Sequence, residues 1–213
     1  MSRYIDASCK QCRREGVKLF LKGAKCLTEK CPVERRPYAP GQHGQSGGGG
    51  RGRKTSEYAK QLREKQKVKR IYGLTERQFR NTFERATLQP GVKGTNLLLA
   101  LETRLDNITY RLGFAPSRKA ARQLIRHGHV EVNGGRVNIP SYRVAVGQEV
   151  RVAPASRELV SVKMAQELAS RGQPVRWLSV DAEKAAGRLA ELPTRESIPV
   201  NAQEQLIVEL YSK

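Results

Sequence analysis

The sequence predicts an α+β protein made of a short cysteine-bearing segment, a run of amphipathic helices, and a stretch in which helices join antiparallel strands. Three observations predict it. All four cysteines fall within the first 31 residues, apolar residues recur at helical spacing between about 56 and 126, and beyond 127 apolar and polar residues alternate around an Asn-Gly pair. At 213 residues and 38% hydrophobic content, the chain suffices for one compact domain or two small ones.

The cysteines are spaced Cys9-x2-Cys12-x13-Cys26-x4-Cys31. Two thiol pairs separated by a short loop can place four sulfurs at the corners of a tetrahedron, the geometry of structural zinc. Arg13, Arg14, Lys18, Lys22, Lys25 and Lys30 surround them, a positive field expected to favour the thiolates a metal needs. The segment has too few large apolar residues to fold alone, so a metal would serve as its core. The expectation is one closed structural zinc ion on Cys9, Cys12, Cys26 and Cys31. An iron–sulfur cluster, two disulfides or four unrelated thiols are the other uses of the same residues.

Arg35-Arg36-Pro37-Tyr38-Ala39-Pro40-Gly41-Gln42-His43-Gly44 follows. Its prolines and glycines exclude a helix or central strand and present Arg35, Arg36, Tyr38, Gln42 and His43 on a turning backbone. Residues 46–54 form a Gly-rich linker carrying Arg51, Arg53 and Lys54. From 56 to about 72 a helix is predicted, with Lys60, Arg63, Lys65, Lys67, Lys69 and Arg70 around a thin stripe of Tyr58, Leu62 and Ile71, ended by Gly73. A second helix starts at the capping box Thr75-x-x-Gln78, carries Arg80 and packs Phe79, Phe83 and Ala86. A third is predicted over 96–112 from Leu97, Leu98, Leu101, Leu105, Ile108 and Leu112.

Ser117 opens a short helix on which Arg118, Arg122 and Arg126 recur every four residues, flanked by Lys119 and Gln123. His127 through Ile139 reads as a hairpin about Asn133-Gly134, and residues 149–152 as a further strand. Residues 156–171 read as a helix, 174–178 and 188–192 as strands around a turn at 181–187, and Asn201 with Glu204 as the cap of a final helix carrying Leu206, Ile207, Leu210 and Tyr211.

Charge then sorts the chain. The whole net charge of +20 lies in residues 1–153, whereas residues 154–213 carry 8 Lys/Arg against 8 Asp/Glu. So large and segregated an excess costs self-repulsion and is best explained by a polyanionic partner, nucleic acid. A membrane surface fits worse, since no apolar run could span a bilayer and no signal peptide follows Met1. Lys and Arg of 51–126 are expected on phosphates, and Tyr38, His43, His127, His129 and Asn133 on unpaired nucleotides. The neutral tail points to a protein neighbour, with Leu192, Pro193, Arg195, Glu196, Leu206, Leu210 and Tyr211 as candidates.

Arg104-Leu105-Asp106-Asn107-Ile108-x-Tyr110-Arg111-Leu112-Gly113-Phe114, with Ser117-Arg118-x-Ala120-x-Arg122-Gln123-Leu124-Ile125-x-His127-Gly128-His129-Val130-x-Val132-Asn133-Gly134, resembles the RNA-binding module named after small-subunit ribosomal protein four. Similar modules are appended to pseudouridine synthases, tyrosyl-tRNA synthetases and a ribosome-associated heat-shock protein. The stretch from Arg35 to Gly44, Leu62-Arg63-Glu64-Lys65-Gln66-Lys67, Ile71-Tyr72-Gly73, Gln78-Phe79-Arg80 and the carboxy terminus extend the resemblance over nearly the full length, to the bacterial ribosomal family itself in its zinc-bearing, four-cysteine version. The tract at 46–50 departs from it, being poorer in basic residues.

That resemblance implies a zinc-binding segment at 1–45, a linker at 46–54, a helical domain at 55–92 completed by 195–213, and an inserted RNA-binding domain at 93–194 with its basic-helix and hairpin module at about 103–153. It adds Tyr72, Arg104, Arg111 and Ser117 to the expected RNA contacts. It implies a cytoplasmic, ribosome-bound monomer that binds small-subunit ribosomal RNA at a multi-helix junction early in assembly. It further implies contact with small-subunit ribosomal protein five, influence on decoding accuracy and a position near the path of messenger RNA, and some relatives repress their own messenger. A non-ribosomal RNA-binding regulator or RNA-modification factor is the alternative. No enzyme is expected: Arg104-Leu105-Asp106 resembles a pseudouridine synthase triplet but lies in a leucine-striped helix without a catalytic domain, and no triad or phosphate-binding glycine loop accompanies it. A helix-turn-helix DNA regulator is disfavoured by the dispersed basic groups.

Overall fold

The protein, seen as a computed structural model, is described over residues 4–42, 44, 56–170, 172 and 175–212. His43, the tract at 46–50, Arg51, Arg53, Lys54 and Pro174 lie outside the described residues. In chain order the elements are α1 (Ser8–Glu15), α2 (Pro32–Arg35), α3 (Glu57–Ile71), α4 (Glu76–Thr87), α5 (Lys93–Glu102), α6 (Leu105–Arg111), α7 (Arg118–Arg126), β1 (Val130–Val132), β2 (Gly135–Arg136), β3 (Glu149–Val152), α8 (Val160–Ser170), β4 (Leu178–Asp181), β5 (Ala186–Leu189) and α9 (Glu204–Tyr211). Two compact units result, Met1–Glu84 with Asn201–Lys213, and Arg85–Val200.

In the first unit, α1 and α2 enclose a small core of Cys12, Leu19 and Leu21, on which Val33 and Ile71 pack. Ser56 caps α3, accepting the Ala59 N–H at 3.3 Å. The expected capping box opens α4: Thr75 and Gln78 exchange backbone-to-side-chain bonds at 3.4 Å each. The last helix, α9, packs on α3 and buries Ile207. Asn201 does not cap it. Gln203 takes the cap position, and its N–H donates to the Glu64 carboxylate of α3 at 3.1 Å.

The second unit is a five-stranded antiparallel sheet in the order β2-β1-β3-β5-β4. Val130 pairs Val152 and Val132 pairs Val150, so the valines share one face and join Leu105, Ile108, Leu112, Leu124, Ile125, Trp177 and Leu189 in the core. Gly187 admits this packing, since a Cβ there would lie 2.3 Å from Leu112 Cδ2. Asn133 (φ 48°) and Gly134 (φ 83°) form the predicted hairpin turn.

Two further expectations are corrected. The single helix over 96–112 is two, because Arg104 is extended and residues 103–106 bond to another segment: Leu105 N–H to Tyr142 C=O at 2.8 Å, Asp106 N–H to Pro140 C=O at 3.1 Å and Val144 N–H to Thr103 C=O at 2.9 Å. The final strands lie at Leu178–Asp181 and Ala186–Leu189, displaced from 174–178 and 188–192 because a shorter turn joins them, with Ala185 at φ 46°.

Candidate nucleic-acid interface

The break between α5 and α6 leaves acidic and amide groups inside the second unit, and these decide where the arginines point. Glu102 is fully buried; it accepts from Arg111 at 2.8 and 3.1 Å and from Asn107 Nδ2 at 2.6 Å. Asp106, also buried, accepts from Arg104 at 2.8 and 3.1 Å. Arg122 reaches the same carboxylate at 3.4 Å. Arg118 donates to Asn107 Oδ1 at 2.8 Å and lies 4.6 Å above the Tyr110 ring. Buried carboxylates without such partners would be costly.

Part of the expected basic row therefore serves the interior. Arg104, expected on RNA, is only 7% exposed, and the Arg-Leu-Asp triplet is a closed ion pair. Ser117 is buried and caps α7, accepting the Ala120 N–H at 3.3 Å. What α7 turns outward is Lys119, Gln123 and Arg126, with His127 directly after it, at a spacing that makes one helical face. The exposed turn Asn133–Gly134, Arg136 and Arg143 belong to the same unit; the two arginines escaped sequence reasoning because each is an isolated cation with no periodic signal. Asn133 Oδ1 accepts the Glu149 N–H at 2.9 Å, and half-buried His129 meets Ser156 Oγ at 2.8 Å through Nδ1. On the sheet's other face, which Arg136 shares as the strand partner of Glu131, Glu131 pairs with Arg151 at 2.7 Å and Glu149 with Arg188 at 4.0 Å, so that face offers little net charge beyond Arg136.

In the first unit every cation singled out on α3 has an acidic partner. Lys60 pairs with Glu57 and Lys67 with Glu64, both at 2.7 Å. Lys65 and Lys69 grip Glu76 at 2.6 and 2.7 Å, and Arg63 and Arg70 grip Glu15 of α1. Partial burial works to raise the Glu76 pKa, but the two lysines outweigh it and hold the carboxyl at about 2. Glu15 goes the other way, as burial pushes it up against its arginines. Tyr72 is buried, and exposed Arg80 pairs with Glu84 at 3.0 Å.

Arg13 donates from Nε to the carbonyls of Arg36 and Tyr38 at 3.1 and 3.0 Å and lies 4.8 Å over the Tyr38 ring. Arg14, Arg35, Arg36 and Gln42 are exposed. The four cysteines are free thiols, with Cys12, Cys26 and Cys31 buried and Cys9 half-buried. The Lys22 N–H donates to Cys26 Sγ at 3.4 Å, and the Leu19 and Leu21 amides face Cys12 and Cys26. Burial pushes the Cys12 and Cys26 thiols up. Among the described residues no three or more His, Cys, Asp or Glu side chains are gathered closely enough to hold a metal.

Of the tail candidates, Tyr211 is turned inward. Its ring stacks on Phe83 at 4.6 Å and Phe79 at 6.3 Å, and its hydroxyl donates to Glu76 at 3.1 Å. Leu206 and Leu210 are half-buried and Pro193 is buried. Leu192 and Glu196 are exposed and Arg195 is intermediate.

Comparison with known proteins adds to this geometry. A family described as "Ribosomal protein S4/S9 N-terminal domain" matches residues 3–102, and one described as "S4 domain" matches residues 103–150. Proteins named "Small ribosomal subunit protein uS4" from Thermus thermophilus and from Acidobacterium capsulatum are each 55% identical over 214 residues, covering 100% of both chains. That of Syntrophomonas wolfei is 56% identical over 213 residues with the same coverage.

Proposed function

The chain belongs to the small ribosomal subunit protein uS4 family, and on that premise we propose that it is a structural, non-enzymatic constituent of the bacterial small ribosomal subunit that binds the subunit's RNA. End-to-end similarity carries this reading, because relatives that merely borrowed the S4 module would match only within residues 103–150. The outward cations of α7 and the hairpin supply phosphate contacts, and the internal ion pairs hold those elements at fixed spacing, as recognition of a folded RNA by shape requires. The place of work is the cytoplasmic ribosome.

The finer reading has the protein bind a multi-helix junction of the RNA early in assembly. It also has the protein meet small-subunit ribosomal protein five and other ribosomal proteins, and so affect decoding accuracy near the messenger path. Exposed Leu192 and Glu196, with Arg195 beside them, support a protein neighbour. The test is binding of the full chain to transcribed small-subunit RNA at near-physiological salt, with heparin as competitor. Preference for the RNA and co-sedimentation with small subunits are expected; equal affinity for heparin would overturn the assignment.

A structural zinc ion on Cys9, Cys12, Cys26 and Cys31 completes the proposal. Four free thiols, three of them buried, supply a tetrathiolate donor set, and backbone amides lie against two of the sulfurs; among the described residues no three of these groups are gathered closely enough to hold an ion, so binding would have to draw them together. The ion would tie the segment's loops together and offset the burial that disfavours thiolates. Elemental analysis should give one zinc per chain and none after Cys12→Ser with Cys26→Ser; iron in its place, or no metal in the parent chain, would refute it.

A further inference from the structure

Phe20 stands apart from the rest of the first unit. Its φ is 51°, the left-handed region that bulky L-residues avoid and that marks functional strain where it persists. The same segment meets the same backbone requirement with glycine at Gly16 (φ 69°) and Gly23 (φ 59°). An aromatic at position 20 is therefore not there for the sake of the turn.

Nor is it there for the core. Leu19 and Leu21 on either side are 2% and 8% exposed and close the small cluster with Cys12, whereas Phe20 is 43% exposed. Among the described residues no ring or cation is stacked on it. The backbone strain thus holds a rigid ring outward from two buried anchors. Around it the chain is cationic: residues 4–42 carry nine Lys/Arg against four Asp/Glu, and Lys22, two residues on, is exposed.

We propose that Phe20 is a stacking platform for an unpaired base of the bound RNA. A base presents a π face to an aromatic ring whatever its identity, and the neighbouring cations suit the phosphates on either side of it. The inference rests on the RNA-binding reading above and deepens it with a contact outside the S4 module. A socket in a protein neighbour is the competing use of the ring, and the five lysines of residues 4–42 argue against that, because interface cores are depleted in lysine.

The test uses the full chain and transcribed small-subunit RNA, comparing Phe20→Leu, Phe20→Gly and Phe20→Trp in binding titrations over several salt concentrations. Leucine keeps apolar bulk but has no π face, glycine removes the strain together with the ring, and tryptophan keeps the face. Phe20→Leu and Phe20→Gly are expected to weaken binding on the order of tenfold with unchanged salt dependence. Phe20→Gly should melt no lower than the parent, and Phe20→Trp should bind as the parent does. Ultraviolet cross-linking should join Phe20 to a single nucleotide. Parent-like binding by Phe20→Leu would overturn the proposal. So would equal weakening by Trp and Leu, or normal RNA binding by Phe20→Leu combined with failure to enter reconstituted subunits, which would assign the ring to a protein. If the parent chain shows no preference for this RNA over heparin, the underlying reading fails first and this one with it.

Discussion

Replacing Glu102 by glutamine tests the claim that the arginines around α6 are structural before they are anything else. The carboxylate is 0% exposed and accepts three bonds, two from Arg111 and one from Asn107. Glutamine keeps the shape but removes the charge and one acceptor, so the Arg111 guanidinium, 11% exposed, loses the carboxylate it forks onto. Breaking one side of such a buried pair costs about 3–5 kcal/mol, a large share of the roughly 5–15 kcal/mol that holds a domain folded. The effect is read at Trp177, the sole tryptophan and fully buried in the same unit. With a urea dependence of about 2 kcal/mol/M, the fluorescence midpoint should fall by about 2 M. Replacing both partners, Glu102→Leu with Arg111→Met, should recover most of the loss, since an apolar pair of similar volume needs no compensation. A Glu102→Gln midpoint within about 0.5 M of the parent, or a double variant weaker than the single one, would refute the reasoning.

Other outcomes follow from the same geometry. Glu76 sits at about 2 against an ordinary 4.5, so its contribution is complete above about 4.5 and fades as pH falls through about 2; circular dichroism on acidification should show Glu76→Gln losing less helix between about pH 4.5 and 2 than the parent. Replacing Arg126 should reduce the slope of log affinity against log salt by about 0.7–0.9 while the urea midpoint stays unchanged; Arg118→Ala with Arg122→Ala should instead lower that midpoint. Gly113→Ala places a Cβ 2.4 Å from Ala169 Cβ at φ 79°, whereas Gly128→Ala at φ 76° meets open space. The first should cost about 1–3 kcal/mol more than the second in thermal unfolding.

Much of the fold was legible because local chemistry and tertiary structure agree. Ser117 and the Thr75–Gln78 box cap the helices they were expected to cap, and Asn133-Gly134 turns the hairpin. The helix break at 103–104 was hidden, since the leucine stripe continues through it and only the distant Pro140–Val144 backbone diverts it. The Asn201 cap failed for a similar reason, as Glu64 of α3 supplies a better acceptor across the packed pair. In the site, periodicity put the arginines of α7 on one face but could not see the buried acceptors that claim two of them. Charge counting overstated α3, where Glu15, Glu57, Glu64 and Glu76 neutralise much of what the composition displays. Phe20 left no mark in the sequence, because strain is a property of the folded backbone.

The first unit joins distant stretches of the chain, since α3 is covered by α9, which follows the whole of the second unit in sequence. During synthesis the second unit has all its residues before the first does, against the usual order in which amino-terminal regions fold first. A stop between the end of the second unit and α9 yields a product whose second unit can mature while its first stays open, with Phe79 and Phe83 deprived of the Tyr211 ring. Closure of the first unit is thereby made to wait for α9 to emerge, and a copy that lacks this helix offers an open core to proteases.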